Sequence, residues 1–249
     1  MSRAEIESMA ETILADYDRR LKTESAVVDV EHLAEVYLEL EMDYQDLSNN
    51  GSVLGMMVFG DSPVPVYDGE NDRAKEIWAH EGTIIIDNSL LLGRQIRRGR
   101  FTVGHEVAHW LLHRPYFTAN AWQLSLLGQW EQSFVRCRQG DIGARRRQLV
   151  TDDDWMEWQA DSFSSALLMP KQAFIKIVQE RFRLVGIEGG CYVWGTDGSL
   201  DLWTDYLSRE LADLFEVSLT AARIRLENLG LIRKKDEEVG LVHGQFKVW

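Results

Sequence analysis

Residues 100–113 read RFTVGHEVAHWLLH, and inside them His105, Glu106 and His109 form H-E-x-x-H. The surrounding apolar residues give this stretch the character of a mostly buried helix. Residues four apart share a helix face, so both imidazoles can reach one Zn²⁺. Glu106, one position past the first histidine, can take a proton from metal-bound water without occupying the metal. A catalytic zinc site keeps three protein ligands and one open position, so a third ligand must come from elsewhere in the chain. A metzincin would carry Gly at 112 and His at 115, but this chain has Leu112 and Pro115, which excludes that class. His113 shares the face of His105 but lies about 12 Å along the helix axis, which suits a supporting histidine better than a ligand.

The second metal-site signal is DDDWMEWQADSFSSALLMP, residues 152–170. Its leading acids favour a helix N-terminus and its Pro170 marks the end. Glu157 and Asp161 stand four apart on one face. They suit a carboxylate ligand followed, one turn later, by a carboxylate that orients a ligating histidine. By residue type alone Asp152, Asp153 and Asp154 compete with Glu157, although a solvated helix start accounts for that run.

The rest of the chain frames these two helices. Residues 4–20 and 29–41 have helical spacing, with Asp29 as a candidate N-cap. The runs SVLGMMVFG, PVPVYD, AKEIWA and TIIID, between Asp43 and Asp87, predict three or four strands in a small antiparallel sheet. Residues 117–138 read as helical and 136–148, with five Arg, as a loop. The five glycines of 186–202 predict a loop or hairpin, and residues 205–230 two amphipathic helices split at Val217–Ser218. The tail 231–249 reads as a short hairpin. The expected organisation is a metallopeptidase-like body over 1–185, a linker or hairpin over 186–204, and a helix-turn-helix or winged-helix-like segment over 205–249. In that segment Arg223, Arg225 and Asn228 are the candidates for DNA readout. Residues 207–249 nevertheless hold seven basic and seven acidic residues. DNA reading asks for a basic stripe, so substrate docking or packing is the favoured role.

The formal charge of the chain is −13, and since 207–249 is neutral all of it falls in residues 1–206. That disfavours a general nucleic-acid surface and favours a basic partner. Cys137 and Cys191 are too few for a disulfide framework and are expected to be free, inert thiols. The charged N-terminal stretch lacks the apolar core of a signal peptide, and no run is apolar enough to span a membrane. A cytoplasmic protein with no membrane partner is the expectation.

Together RFTVGHEVAHWLLH and EWQADSFSSALLMP (157–170), in that order, resemble the ImmA/IrrE metallopeptidases. The resemblance covers roughly residues 25–182. It implies an α+β, gluzincin-like zincin with a small antiparallel sheet beside a helical active-site region. It makes His105, His109 and Glu157 the zinc ligands and Glu106 the catalytic base, with Asp161 behind the ligands; the supporting place of His113 rests on its helix spacing alone. Gln159 stands where many members have Glu, which favours Glu157 over position 159. The stretch between His109 and Glu157, with Trp122 and Trp130, is longer than usual. The implied activity is limited proteolysis of a regulator, often a helix-turn-helix repressor that binds DNA. A DNA- or protein-binding regulator on a degenerate scaffold is the alternative. In related zincins a substrate pairs with an edge strand before the active-site helix, and Thr83, Ile84, Ile85, Ile86 and Asp87 are expected to form that edge.

Overall fold

The computed structural model describes residues 1–24, 26–126, 134–138 and 149–234. Trp130, the Arg145–Arg147 run and the tail past residue 234 lie outside the described residues.

In chain order, helix α1 is Arg3–Tyr17 and a short α2, Val30–His32, runs into a π turn, Leu33–Tyr37. Strands β1 (Glu41–Gln45), β2 (Val53–Val58), β3 (Ser62–Asp68), β4 (Arg73–Ala79) and β5 (Thr83–Asp87) come next. The long α3 covers Ile96–Leu126 and is followed by β6, Phe134–Arg138. Helices α4 (Asp152–Leu168) and α5 (Lys171–Leu184), strand β7 (Tyr192–Trp194), helices α6 (Gly198–Leu214) and α7 (Leu219–Asn228), and strand β8 (Ile232–Lys234) complete an α+β fold.

Helix starts follow local chemistry. Ser2 and Glu5 form a capping box on α1, and Thr151 and Asp154 do the same on α4. In each box two otherwise unpaired backbone donors are satisfied. Three aspartates in the first turn of α4 add favourable charge at its positive dipole end. Pro170 ends α4 and caps α5, whose Ala173, Phe174, Ile177, Val178 and Phe182 form its buried face.

The expected single antiparallel sheet is corrected in two respects. The four-stranded sheet has the order β1-β5-β2-β6, and β1 runs parallel to β5. Strands β3 and β4 form a separate hairpin. Both faces of the main sheet are covered. Leu54, Met57, Ile84 and Ile86 join the main core, whereas Met56, Val58 and Ile85 pack with Val64, Val66 and Ala79 of the hairpin. This explains why TIIID is apolar at successive positions and buried throughout. A second correction falls on 117–138, where the helix extends through Leu126 but residues 134–138 are strand, not helix or loop.

The expected division near 186–204 does not divide the core. One buried apolar cluster runs from Ile6 through Phe163 to Leu207, Leu226 and Ile232. Arg225 on α7 is 2% exposed. Its guanidinium pairs with Glu7 of α1 and donates to the Met169 carbonyl oxygen at 2.8 and 3.1 Å. Arg225 is therefore corrected from a DNA-reading candidate to a tie between the C-terminal helix and the body. Arg223 is paired with Asp205 at 2.6 Å, and Asn228 accepts from Arg3 at 2.8 Å. No helix among the described residues is long and apolar enough to cross a membrane.

Candidate metal centre

Helices α3 and α4 meet where side chains are smallest. A Cβ added to Gly104 would lie 2.7 Å from Ser164 Oγ. That close approach sets the histidine face of α3 against the Glu157 face of α4. His105, Glu106 and His109 are each at most 1% exposed, and Glu157 is 7% exposed.

The ring nitrogens converge. His105 Nε2 and His109 Nε2 are 3.0 Å apart. Glu157 Oε2 is 3.3 Å from the first and Oε1 is 3.4 Å from the second. Two nitrogens each about 2.05 Å from one tetrahedral zinc are about 3.3 Å apart, so this spacing matches a shared ion.

The hydrogen bonds behind the rings assign the tautomers. Gln159 Oε1 accepts from His113 Nε2–H at 3.2 Å. His113 Nδ1 is then a lone pair, and it accepts from His109 Nδ1–H at 2.9 Å. His105 Nδ1–H donates to Asp161 Oδ1 at 3.0 Å. Each neutral imidazole has one N–H, and each has already used it. Two Nε2 lone pairs and a carboxylate thus face one another, and Glu157 Oε2 receives no hydrogen bond from the described residues. Only a cation relieves such a focus, and the donor set of two imidazoles and one carboxylate suits zinc.

The protonation pattern agrees. Burial opposes ionisation of Glu157, but its contacts with His105 and His109 outweigh this and hold its carboxyl well below the usual range. Burial also opposes charge on His105, yet the neighbouring Cys137, Asp161 and Glu157 raise it well above the ordinary value. In the metal-free protein a proton can hold this focus, and a metal ion would compete with it. Burial lowers His109 and takes His113 down to about 3, so His113 is a neutral relay between Gln159 and His109.

Glu106 lies against Gly55 of β2, with a carboxylate oxygen within 4.8 Å of a His105 ring nitrogen. Both its carboxylate oxygens are buried and have no hydrogen-bond partner among the described residues. Burial pushes its carboxyl up to about 8, with His105 pulling down and Glu157 pushing up. Space for it exists because residue 55 is glycine: an added Cβ would lie 2.6 Å from Glu106 Oε1.

The structure brings together His105, Glu106, His109, His113, Glu157 and Asp161. It does not bring Thr83–Asp87 to an edge. Strand β5 pairs with β1 on one side and β2 on the other, so its backbone cannot accept a substrate strand. That expectation is corrected, because an unbroken Ile84–Ile86 run belongs inside a sheet. Two neighbours were missed. Gln159 ends the relay through His113. Cys137 of β6, expected to be inert, lies against His105 and Glu106, its Sγ within 4.8 Å of a ligating atom of each. Burial pushes its thiol up to about 12.

Two helices thus define a candidate metal centre of two histidines and one carboxylate, beside a glutamate that has no hydrogen-bond partner among the described residues. The model of the peptidase M78 family, the IrrE N-terminal-like domain, matches residues 135–227. That stretch is similar to the family whose members the two motifs resemble, the ImmA/IrrE peptidases. The match begins after the H-E-x-x-H turn of α3, includes Glu157 and Asp161, and runs through 186–204 into α7. No curated protein matches the chain.

Proposed function

We propose that the chain is a zinc-dependent endopeptidase that makes limited cuts in a regulatory protein, a helix-turn-helix repressor. One observation carries the reading: two imidazole lone pairs and a carboxylate converge at 3.0–3.4 Å beside a buried Glu106 with no hydrogen-bond partner among the described residues. His105, His109 and Glu157 would hold the ion, as in a zincin. Bound zinc would supply Lewis acidity toward the scissile carbonyl and the attacking water.

The remaining steps belong to the chain. Asp161 holds His105, and the Gln159–His113 pair holds His109, so both rings keep Nε2 aimed at the ion's position. Glu106 accepts a proton from the attacking water and returns it to the leaving amine. Its raised proton affinity near neutrality suits both transfers, and a nearby cation would draw it down toward the base form. Gly55 leaves the carboxylate room to move. The repressor substrate is supported by the family resemblance and by the acidic body, whose charge favours a basic partner.

The test is co-expression with a repressor-like protein, comparing wild type with Glu106→Gln. A cleaved band in wild type alone, with zinc retained in Glu106→Gln, is the expected result. An active Glu106→Gln enzyme would end the general-base assignment. Glu157→Ala should lose most of the zinc, and unchanged metal content would remove Glu157 from the ligand set.

A further inference from the structure

We propose that the groove between the outer edge of β1 and the end of β4 is a docking site for an arginine-bearing, basic segment of the protein substrate, apart from the metal centre. The inference rests on the peptidase reading above for the identity of the occupant, and on the groove itself for the site.

The charge of the chain is concentrated around this groove. Residues 23–72 hold twelve acidic residues and no Lys or Arg, so they carry −12 of the chain's −13. Strand β1 ends the four-stranded sheet, with β5 as its ladder partner among the described residues. Side chains along a strand alternate between its two faces. Met42 and Tyr44 pack on the main core, so Glu41 and Asp43 take the opposite face. Asp43 stands beside Ile85, which packs with the β3–β4 hairpin. The groove thus opens on the hairpin face. The metal centre lies on the α3 face, where Gly55 meets Glu106, so the docked segment is not the one being cut.

The groove has a volume of about 500 Å³. Buried Leu40, Ala79 and Thr83 line it, Glu35 brings a third carboxylate from the π turn, and Trp78 of β4 is 63% exposed on it. No Lys or Arg among the described residues lines it. Its carboxylates take hydrogen bonds from neutral donors instead. Asp43 accepts from the Tyr44 N–H at 2.8 Å and the Gln45 amide at 3.0 Å, and Glu41 from the Thr83 hydroxyl at 3.3 Å.

Like charges gathered on one sheet face repel, and a partner's cations relieve that. A single metal ion is a poor fit, because Glu35, Glu41 and Asp43 do not bring their oxygens within 4.8 Å of one another. Spaced cations on an extended segment match spaced carboxylates. Trp78 favours arginine among them, since a guanidinium can stack on an indole face and pair with a carboxylate at once. The chain uses that combination itself at the neighbouring Glu81. Arg114 lies 4.1 Å from the Trp110 ring centroid and 2.6 Å from the Glu81 carboxylate. In the groove the tryptophan and the carboxylates are present, and the arginine is left to the partner.

The groove is tested by fluorescence anisotropy at low salt. The probe is a short fluorescein-labelled peptide of alternating arginine and serine, and the full chain carries Glu106→Gln so that the probe is not cut. Glu41→Gln with Asp43→Asn removes two charges and keeps both hydrogen-bond acceptors. It should weaken binding by roughly tenfold, and Trp78→Ala by about threefold, the scale of exposed ion pairs and of one cation–π contact. Glu70→Gln with Glu188→Gln removes the same charge at exposed positions outside the groove and should change binding by less than about twofold. Equal losses in the two double variants, or no binding by the parent chain, would overturn the docking site. Unchanged binding in Trp78→Ala would overturn the choice of arginine. The occupant is tested in the co-expression assay with Glu106 intact, where Glu41→Gln with Asp43→Asn should leave more of the repressor-like protein uncut than the control pair does. Unchanged cleavage beside weakened peptide binding would overturn the substrate as occupant. Absence of cleavage by wild type would overturn the peptidase reading, and the substrate as occupant with it, while the anisotropy result would still decide the groove.

Discussion

The α3–α4 crossing that assembles the site can be tested by a double-mutant cycle at Gly104 and Ser164. In Gly104→Ala the new Cβ would stand 2.7 Å from Ser164 Oγ, a distance that real Cβ atoms essentially never show. Ser164 Oγ cannot turn away freely, because it donates to the Phe101 carbonyl oxygen at 2.9 Å. Either that bond is lost, at about 1 kcal/mol, or the helices separate, at about 1–3 kcal/mol for overpacking. Alanine returns about 1 kcal/mol of helix propensity over glycine. The net loss for Gly104→Ala is therefore about 0–2 kcal/mol. Ser164→Ala alone should lose about 1 kcal/mol with its hydrogen bond. In the double variant the offending oxygen is gone, and the next atom, the residue 164 Cβ, lies at 3.4 Å, at the edge of ordinary contact. The double variant should thus be more stable than the sum of the singles by about 1–3 kcal/mol. Denaturant unfolding of the four proteins measures the coupling. Zinc affinity should follow the same pattern, since separating the helices pulls Glu157 from the histidines. Additive losses, with no rescue in the double variant, would refute the close-packing argument.

Further outcomes follow from the same geometry. Gln159→Leu should weaken zinc binding by roughly 10–100-fold, because His113 and through it His109 lose their fixed tautomers. Gln159→Glu retains an acceptor and should bind much closer to wild type. Equal affinities in chelator competition would remove the relay. Arg225→Ala leaves Glu7 without its partner and should cost about 3–5 kcal/mol, part of it recovered when Glu7 is also made Ala. Denaturation would detect this, and a loss below about 1 kcal/mol would mean that the pair does not anchor α7. Gly55→Ala should lower peptidase activity by about 100-fold by displacing Glu106, with zinc content unchanged. Full activity in that variant, by the co-expression assay, would show that Glu106 does not need the space.

What could be read in the sequence and what could not divide along the range of the interactions. Helices α3 and α4 are written locally. The His105–His109 spacing, the Thr151–Asp154 box and Pro170 each act within one or two turns, so motif and structure agree on which faces meet. The β5 expectation failed although its signal was present. An edge strand exposes one row of backbone groups and alternates or carries charge, whereas Ile84, Ile85 and Ile86 offer apolar side chains to both faces. That pattern belongs to a strand covered on both sides, between β1 and β2. Arg225 failed for a different reason. An arginine on a short amphipathic helix reads as exposed until its partner is known, and Glu7 lies 218 positions away. Strand β6 is the same case. FVRCR carries two charges in five residues and becomes a strand through pairing with β2. A local period can put His105 on a face, but long-range register decides what stands before it. Gly55 and Cys137 look unremarkable in any window of sequence. One ladder position sets them opposite each other, and the missing side chain of the first leaves room for Glu106 beside His105.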